Sequence, residues 1–516
     1  MRNDAAPSER LKQYAYRLHA AVIALALSLS ACLSLSACLS LSACLSLSAC
    51  LSLAPQYERP VLPVAPSWPT DAPNAGQSTA ADVGWRDYFP DPQLQALIAQ
   101  ALEHNRDLRI AVQRVEEARA AYGVRRADQL PTVQAGGSAL RFRTPGGILG
   151  SQPINGAGYS VSLTESNWEL DFWGRVRNLK DAALENYLAS DASRRAATLA
   201  LIAQVADAYL LLREFDEQIA IARQTIATRT ESLRIVRRRY EVGATPRLDL
   251  TQSQILLEQA RTLAARLQQQ RATDAHALDV LVGTPTALSP PTRLDDNSIR
   301  ADLGAGLPSQ LLENRPDIVA AEHQLRAAAA NIGAARAAFF PRITLTGTLG
   351  TSSTALQDLF SSNTGAWIFL PSVSLPVFDA GRNRSNLNLE EARRKEALAQ
   401  YEKSIQSAFR DVADALSARA WLADQVQSAR ASLDAQTERA RLARLRYDSG
   451  AAPFLEVLDA QRDLLDAQQA LVQTRRALLS SRVALYSALG GDLEHEARAG
   501  QRPSIAGHST SRDPSQ

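Results

Sequence analysis

The sequence is poor in the residues that carry covalent and metal chemistry. Its 516 residues include one methionine, six histidines and four cysteines, and the cysteines are Cys32, Cys38, Cys44 and Cys50. All four lie in one apolar N-terminal stretch, so none is left downstream for a disulfide framework or a cysteine-rich metal site. No two histidines have metal-ligand spacing. The sequence therefore predicts no metal site and no cofactor.

An excess of charge of one sign is also lacking. Lysine and arginine number 56 against 54 aspartate and glutamate, and without the first 50 residues the two signs balance. This balance gives no reason to expect a nucleic-acid partner. No nucleophile motif, phosphate-binding glycine loop or catalytic carboxylate pair is recognisable, so no catalytic residue is predicted and the chain is not expected to be an enzyme.

The N-terminal 50 residues indicate an export signal. Basic residues precede the apolar run 20–31, which has the length of a signal-peptide core and is too short to span a bilayer. The tetrapeptide LSAC then occurs four times, ending at each of the four cysteines. It resembles the lipobox of bacterial lipoproteins, in which the cysteine is acylated. Cys32 fits the length of the apolar core and Cys50 fits the downstream motif, while Cys38 and Cys44 remain alternatives. A transmembrane helix over 20–54 is the competing interpretation.

The rest of the chain is internally duplicated. At a shift of 210 residues Pro131 falls on Pro341, and at a shift of 207 Gly283 falls on Gly490. We therefore divide the chain into a signal segment, an extended arm, two repeats and a C-terminal tail. Their bounds are 1–50, 51–84, 85–283, 284–490 and 491–516.

Each repeat is predicted to contain a helix, a β-hairpin and two long helices. The hairpins are placed at about 131–172 and 341–378, where apolar and polar residues alternate. The long helix pairs are placed at about 175–282 and 382–489. The segment 175–240 has no proline or glycine, and a helix of that length would extend on the order of 100 Å.

Four strands of membrane length cannot close a barrel alone. Every backbone polar group in lipid must be paired, and bacterial outer-membrane barrels begin at eight strands. Several copies must therefore share one barrel: two copies supply eight strands and three supply twelve. Strand number does not decide between these, although long paired helices favour the wider ring because it leaves a lumen.

Several motifs together resemble the TolC-type outer-membrane factors of tripartite RND-type efflux systems, in their lipoprotein, NodT-like branch. The resemblance covers about 54–490. The residues that carry it are Ala54–Pro60, Trp85–Phe89, Asp91–Leu94, Trp168–Arg175, Asn314–Ile318, Phe339–Pro341 and Tyr447–Ala460.

The resemblance implies a mainly α-helical fold with a β-barrel part. It implies a homotrimer with a twelve-stranded transmembrane barrel, four strands from each chain, and a long periplasmic α-helical tube. It also implies a lipid-anchored location in the outer membrane of a Gram-negative bacterium. The expected partners are outer-membrane lipid, a periplasmic adaptor (membrane fusion) protein and an inner-membrane pump of the RND type.

The resemblance also assigns residues to a periplasmic gate. Asp459 and Glu456 match the aperture acids of the family, and Asp249 and Tyr447 match positions in the links that close the mouth. An arginine that joins those links in some members is replaced here by Ala452. The alternative is that these acids are ordinary solvated residues near helix N-termini, where the helix dipole favours them.

The turns between the long helices have a structural explanation and an implied role. Gly243 and Gly450 are expected to end one helix in a left-handed cap, and Pro246 and Pro453 to begin the next. The resemblance adds that the adaptor docks at these turns.

The predicted function is a passive outer-membrane channel of an efflux pump, opened at its helical tip. Two alternatives remain at this point. A lipid-anchored periplasmic coiled-coil adaptor or scaffold would share the long helices but would not need two membrane-length hairpins. A lipid-anchored envelope enzyme would need a catalytic residue that the sequence does not offer.

Overall fold

The computed structural model describes residues 52–68, 78–79, 83–145, 153–288, 293–301, 303–304 and 306–491. The four cysteines, and the C-terminal tail beyond residue 491, lie outside these residues. Two units are distinguished by their internal contacts. The sheet unit contains the described residues of 1–57, 122–183 and 327–394, and the helical unit contains those of 58–121, 184–326 and 395–516. Each sequence repeat contributes to both units.

The sheet unit is built on four antiparallel strands in the order β2-β3-β5-β6. Their bounds are β2 Val133–Thr144, β3 Ile154–Glu169, β5 Arg342–Ser353 and β6 Gly365–Ser374. β2 and β6 are the edges of this sheet. The register between β3 and β5 shifts between Glu165 and Trp168, where Asn167 has a φ of 59°. The sheet thus joins one hairpin from each repeat through its two central strands.

The motif Trp168–Arg175 forms the junction between β3 and the helix that follows it. Asp171 accepts the backbone N–H groups of Val176 and Arg177 at 3.1 and 2.7 Å, which satisfies two of the free donors at the N-terminus of this helix. The indole N–H of Trp173 donates to the Pro341 carbonyl at 2.8 Å. Its ring also stacks on Phe340, with ring centroids 4.7 Å apart. Trp173 is therefore a packing residue of this junction.

The two long helix pairs have nearly the same length in both repeats. They are α4 Arg175–Glu241, α5 Arg247–Val282, α8 Arg382–Asp448 and α9 Phe454–Ala488. α4 and α8 have 67 residues each, and α5 and α9 have 36 and 35. By length and composition α4 alone among the described helices could cross a membrane, but core helices of soluble domains pass the same test.

Shorter elements complete the fold, and several of them were not predicted. The short helices are α1 Trp85–Tyr88, α2 Pro92–His104, α3 Arg106–Ala127, α6 Leu311–Asn314 and α7 Pro316–Ala337. 3₁₀ turns lie at Pro308–Gln310 and Leu356–Asp358. A two-residue strand in the arm, β1 Ser78–Thr79, pairs in parallel with β4 Leu303–Gly304.

α2 is attached to α4 in the helical unit by a partly buried polar contact. Asp91 caps α2 by accepting the N–H groups of Gln93 and Leu94. Its other carboxylate oxygen accepts the Tyr209 hydroxyl at 2.6 Å. Burial, followed by the hydrogen bond to Asp91, raises the pKa of Tyr209 to about 12. Asp91, the first residue of the family motif at 91–94, therefore has a structural role.

Candidate functional site

The turns between the long helices share one backbone geometry. Gly243 and Gly450 have φ values of 75° and 77°. The amide of Ala244 donates to the backbone carbonyl of Arg239, and the amide of Ala451 donates to that of Arg446, both at 2.8 Å. The amides of Gly243 and Gly450 also donate, to the carbonyls of Tyr240 and Tyr447. Together these bonds form a Schellman motif at each helix end. The motif favours glycine because the left-handed conformation is costly for other residues.

Each turn then leads through a proline into the next helix. Pro246 and Pro453 have φ values of −67° and −68° and occupy the N-cap, one residue before α5 and α9 begin. The fixed φ of proline suits this position, and its missing N–H removes a donor that would lack a helical partner. The two prolines therefore fix where the returning helices start.

In the first turn the predicted acid Asp249 is held by a local hydrogen bond. The Thr245 hydroxyl donates to its Oδ2 at 2.7 Å. Thr245 is buried, and Asp249 lies half-buried in the first turn of α5. The carboxylate is thus oriented by a neutral group.

In the second turn the equivalent acid has a different partner. Glu456 accepts a hydrogen bond from the Arg446 guanidinium at 2.7 Å, across the turn from α8 to α9. Ala452 stands where the first repeat has Thr245. The loss of the hydroxyl is therefore accompanied by an ion pair that ties the two ends of this turn together.

Asp459 lies on α9, three residues beyond Glu456, and its side chain is 40% exposed. Its nearest described cation is Arg462, at 3.5 Å. Arg462 also lies 3.2 Å from Asp463, which accepts a hydrogen bond from Arg439 at 2.5 Å. This bond from Arg439 lowers the pKa of Asp463 below its usual value. Asp459 is therefore the acid of this group whose charge is less fully countered.

Tyr447 connects the ends of α4, α8 and α9. Its ring centroid lies 5.0 Å from that of Phe454. The Arg239 guanidinium lies 5.4 Å from the Tyr447 centroid and 3.9 Å from Asp448. A buried apolar cluster that includes Val236, Phe454 and Val457 lies beneath these groups.

The structure thus gives the predicted residues of the second turn partners in three separate groups, around Glu456, Tyr447 and Asp459. It keeps Asp249 in a pair with Thr245. Sequence reasoning missed the cations of two of these groups, Arg239 beside Tyr447 and Arg446 beside Glu456. The internal repeat could have indicated both arginines, because the 207-residue shift places Arg239 on Arg446.

The comparison with protein families agrees with the duplicated architecture. The model of the outer membrane efflux protein family matches residues 97–284 and 307–491, one segment in each repeat. This chain belongs to the outer membrane efflux protein family.

Individual members of the family are similar over most of their length. Outer membrane protein OprJ of Pseudomonas aeruginosa is 43% identical over 79% of this chain and 86% of its own. The probable efflux pump outer membrane protein TtgC of Pseudomonas putida is 42% identical over 87% of this chain and 95% of its own. The open-state structure of the MtrE outer membrane channel of Neisseria gonorrhoeae is 39% identical, with a TM-score of 0.79, over 86% of this chain and 99% of that one.

These similarities identify the general function. The chain has the TolC-like fold and is an outer-membrane channel component of a tripartite efflux pump. Its family is a family of transport channels. The adaptor interpretation is not favoured, because the matching proteins are outer-membrane efflux proteins.

Proposed function

We propose that three copies of this chain form one passive efflux channel whose sheets close into a single twelve-stranded barrel. The observation that carries the proposal is the four-stranded sheet with two edges, β2 and β6. A sheet in lipid cannot leave an edge unpaired, so the edges of different copies must meet. Three copies rather than two leave space for a lumen between helices of this length.

The unequal burial of equivalent helices supports the same ring. In the sheet unit Ala327 and Ala330 of α7 pack against Ala182 of α4, within one chain. Many residues of α7 are buried, whereas the only buried residue in α3, its counterpart in the first repeat, is Val115. The first turns of α8 are also largely exposed, unlike those of α4. α3 of one copy and α8 of the next can therefore repeat the contact of α7 with α4.

The helix turns are the proposed gate. Threefold symmetry would bring copies of Asp459 together, and their like charges would repel one another and attract cations. Glu456, Asp249 and Tyr447 would hold the turns closed. The ion pairs here are partly exposed and each contributes about 0–1 kcal/mol, so a modest force from a partner protein can open them.

The same turns are the proposed docking surface for a periplasmic adaptor. Gly243, Pro246, Gly450 and Pro453 shape them, and apolar side chains beside the turns are exposed. These side chains are Val242 at 66%, Leu248 at 64% and Leu455 at 52%. Such side chains suit contact with another protein. We expect the adaptor to link this channel to an inner-membrane pump of the RND type.

We propose that Cys50 is the acylated residue. In the sheet unit the Ser52 hydroxyl donates to Asn178 at 2.9 Å, and Arg336 donates to the Leu53 carbonyl at 3.1 Å. Cys50 precedes Ser52 by two residues, a span of at most about 7 Å. Acylation at Cys50 would therefore hold the lipid close to the sheet unit, whereas Cys32, Cys38 and Cys44 would leave longer tethers. Radiolabelled palmitate should label the wild type but not a Cys50→Ser variant.

The cargo is proposed from relatives. Related proteins are named for toluene, solvent or antibiotic efflux, so we propose that small organic molecules leave through this channel. Selection would rest with the inner-membrane pump, and no covalent chemistry is involved. Deleting the gene should sensitise the host to such compounds, and complementation should restore resistance.

The channel itself is tested by conductance. Purified protein should have the native mass of a trimer and conduct ions in planar bilayers. Asp459→Ala should raise the single-channel conductance or reduce the preference for cations, while Asp434→Ala, at an exposed acid of α8 outside the turns, should change neither. Unchanged conductance and selectivity in the Asp459 variant would remove this residue from the gate.

A further inference from the structure

The edge strands β2 and β6 carry enough information to predict how two copies join. We infer that β6 of one copy pairs antiparallel with β2 of a second copy in one register, in which Leu370 lies opposite Leu140. This inference rests on the proposed ring of copies and specifies its joint.

The template for the joint is the pairing of β3 with β5 inside one chain. β3 ends the hairpin of the first repeat and β5 begins that of the second, and the two strands pair antiparallel. β6 and β2 are their counterparts, since β6 ends the second hairpin and β2 begins the first. In a closed ring of duplicated chains, a joint between copies can repeat the joint between repeats.

The residue equivalences follow from the hairpins. The shift of 210 residues places Val133 on Ile343. Val133 pairs with Glu165 in the first hairpin, and Ile343 pairs with Val373 in the second. Glu165 and Val373 are therefore equivalent positions in the two hairpins.

The observed pairing of β3 with β5 can now be transferred to the edges. Glu165 pairs with Gly347, and the equivalents of these residues are Val373 and Gly137. Val373 should therefore lie opposite Gly137. Counting three residues along the antiparallel strands places Leu370 opposite Leu140.

A second estimate of the register uses the strand pairs on the other side of the irregularity between Glu165 and Trp168, and it gives the same result. There Trp168 pairs with Leu345. The shift of 207 residues, which places Gly174 on Gly381, makes Leu375 the equivalent of Trp168, and the shift of 210 makes Ala135 that of Leu345. Leu375 opposite Ala135 is the same register as Leu370 opposite Leu140.

The chemistry of one sheet face supports this register independently. On that face the central strands β3 and β5 carry mainly hydroxyl side chains, and Thr164 and Thr348 hydrogen-bond across them at 3.3 Å. The edge strands place large apolar side chains on the same face, all of them exposed. They are Leu140 at 60%, Phe142 at 47%, Ile368 at 62% and Leu370 at 58%.

In the inferred register these apolar side chains cover one another. Leu370 lies opposite Leu140, and Ile368 lies opposite Phe142. A slip of one residue would turn them to opposite faces of the sheet, and a slip of two would place one of them opposite a serine or threonine. The register thus pairs apolar side chains that are exposed in the single chain.

The opposite face gains complementary pairs as well. There Phe369 lies opposite Arg141 and Trp367 opposite Arg143. Trp367 and Phe369 are 74% and 62% exposed in the single chain. A guanidinium beside an aromatic ring is a favourable contact, and the planar arginine side chain suits it.

Cysteine cross-linking in membranes tests the register on the full chain. Directly opposite residues have Cβ atoms about 4.5–5.5 Å apart, whereas diagonal neighbours are about 7–8 Å apart, beyond the reach of a disulfide. The matched variant combines Leu140→Cys with Leu370→Cys. The slipped control combines Leu140→Cys with Ser372→Cys, and each single substitution controls for other cysteines.

We expect mild oxidation to convert the matched variant from a monomer to a covalent trimer on denaturing gels, reversibly with a reductant. The slipped control should stay monomeric. Ser138→Cys with Ser372→Cys is a second matched variant and should behave like the first. Cross-linking of the slipped variant, or of neither matched variant in a protein of trimeric native mass, would overturn the register. A wild-type native mass other than that of a trimer would instead overturn the proposed function.

Discussion

Gly283, which ends α5, should tolerate alanine far less well than Gly243, which ends α4. Gly283 has a φ of 81°, and its amide donates to the Asp279 carbonyl at 2.8 Å. A Cβ atom at Gly283 would lie 2.8 Å from the carbonyl carbon of His104 and closer still to its oxygen. At Gly243 φ is 75°, but a Cβ atom would meet nothing within 4 Å.

Both substitutions therefore place alanine in a left-handed conformation, but only the one at Gly283 also creates a steric clash. Alanine in a left-handed conformation costs about 1–2 kcal/mol at either site. At Gly283 the new atom also collides with backbone between α2 and α3, which cannot rotate away as a side chain can. Overpacking of this kind adds about 1–3 kcal/mol. We expect Gly283→Ala to destabilise the protein by about 2–5 kcal/mol and Gly243→Ala by about 1–2 kcal/mol.

Thermal melting of the purified protein, followed by circular dichroism at a fixed scan rate, measures the difference. Gly283→Ala should melt clearly below Gly243→Ala. Gly490 gives an internal replicate, since its Cβ would lie 2.5 Å from the Asn314 carbonyl oxygen, the equivalent contact in the second repeat. Equal melting temperatures for the Gly243 and Gly283 variants would refute the reasoning from the backbone contact.

Three further predictions concern single hydrogen bonds. Tyr209→Phe removes the donor to Asp91 and should cost about 1–3 kcal/mol; because the Tyr209 pKa is raised to about 12, wild-type stability should also fall between pH 10 and 12, a loss absent in the variant. Trp173→Phe keeps an aromatic ring beside Phe340 but loses the bond to Pro341, and should lower the melting temperature less than Trp173→Ala does. Thr245→Val removes the hydroxyl bond to the first-turn carboxylate and should speed hydrogen exchange of the amides around that turn.

Each of these predictions has an outcome that contradicts it. An identical alkaline loss of stability in Tyr209→Phe would show that another group titrates there. Equal melting of the two Trp173 variants would mean that ring packing contributes little at the junction. Unchanged exchange at the first turn, with Thr251→Val as the control for an exposed threonine of α5, would show that the Thr245 hydroxyl does not order it.

The long helices and their turns were predictable because their signals are local. Helix propensity over 175–240 and the spacing of Gly243 and Pro246 act within a few residues. The predicted outer ends of the two long helix pairs agree with the observed ends to within about two residues, which is the ordinary uncertainty of helix boundaries. α1 and β1 were missed because they are short. α2 was missed although its signal is local, since Asp91 caps it and Pro92 begins it.

The candidate site was predictable only in part. The acids Asp249, Glu456 and Asp459 were selected by resemblance to a family, and their roles in a gate remain a proposal. Their cations were not selected, since a run of arginines on a long helix gives no indication of which one meets an acid. Arg446 reaches Glu456 only because the turn at Gly450 folds α9 back beside α8.

The sequence by itself determined the duplication, the four long helices, the glycine and proline turns, and the need for several copies to close a barrel. These depend on periodicity, backbone conformation and the requirement that backbone groups be paired in lipid. Only the tertiary structure decided which charges pair, how β3 and β5 register across the two repeats, and which helix faces one chain leaves uncovered. Those features join residues far apart in sequence, and their energies depend on distances that no local pattern contains.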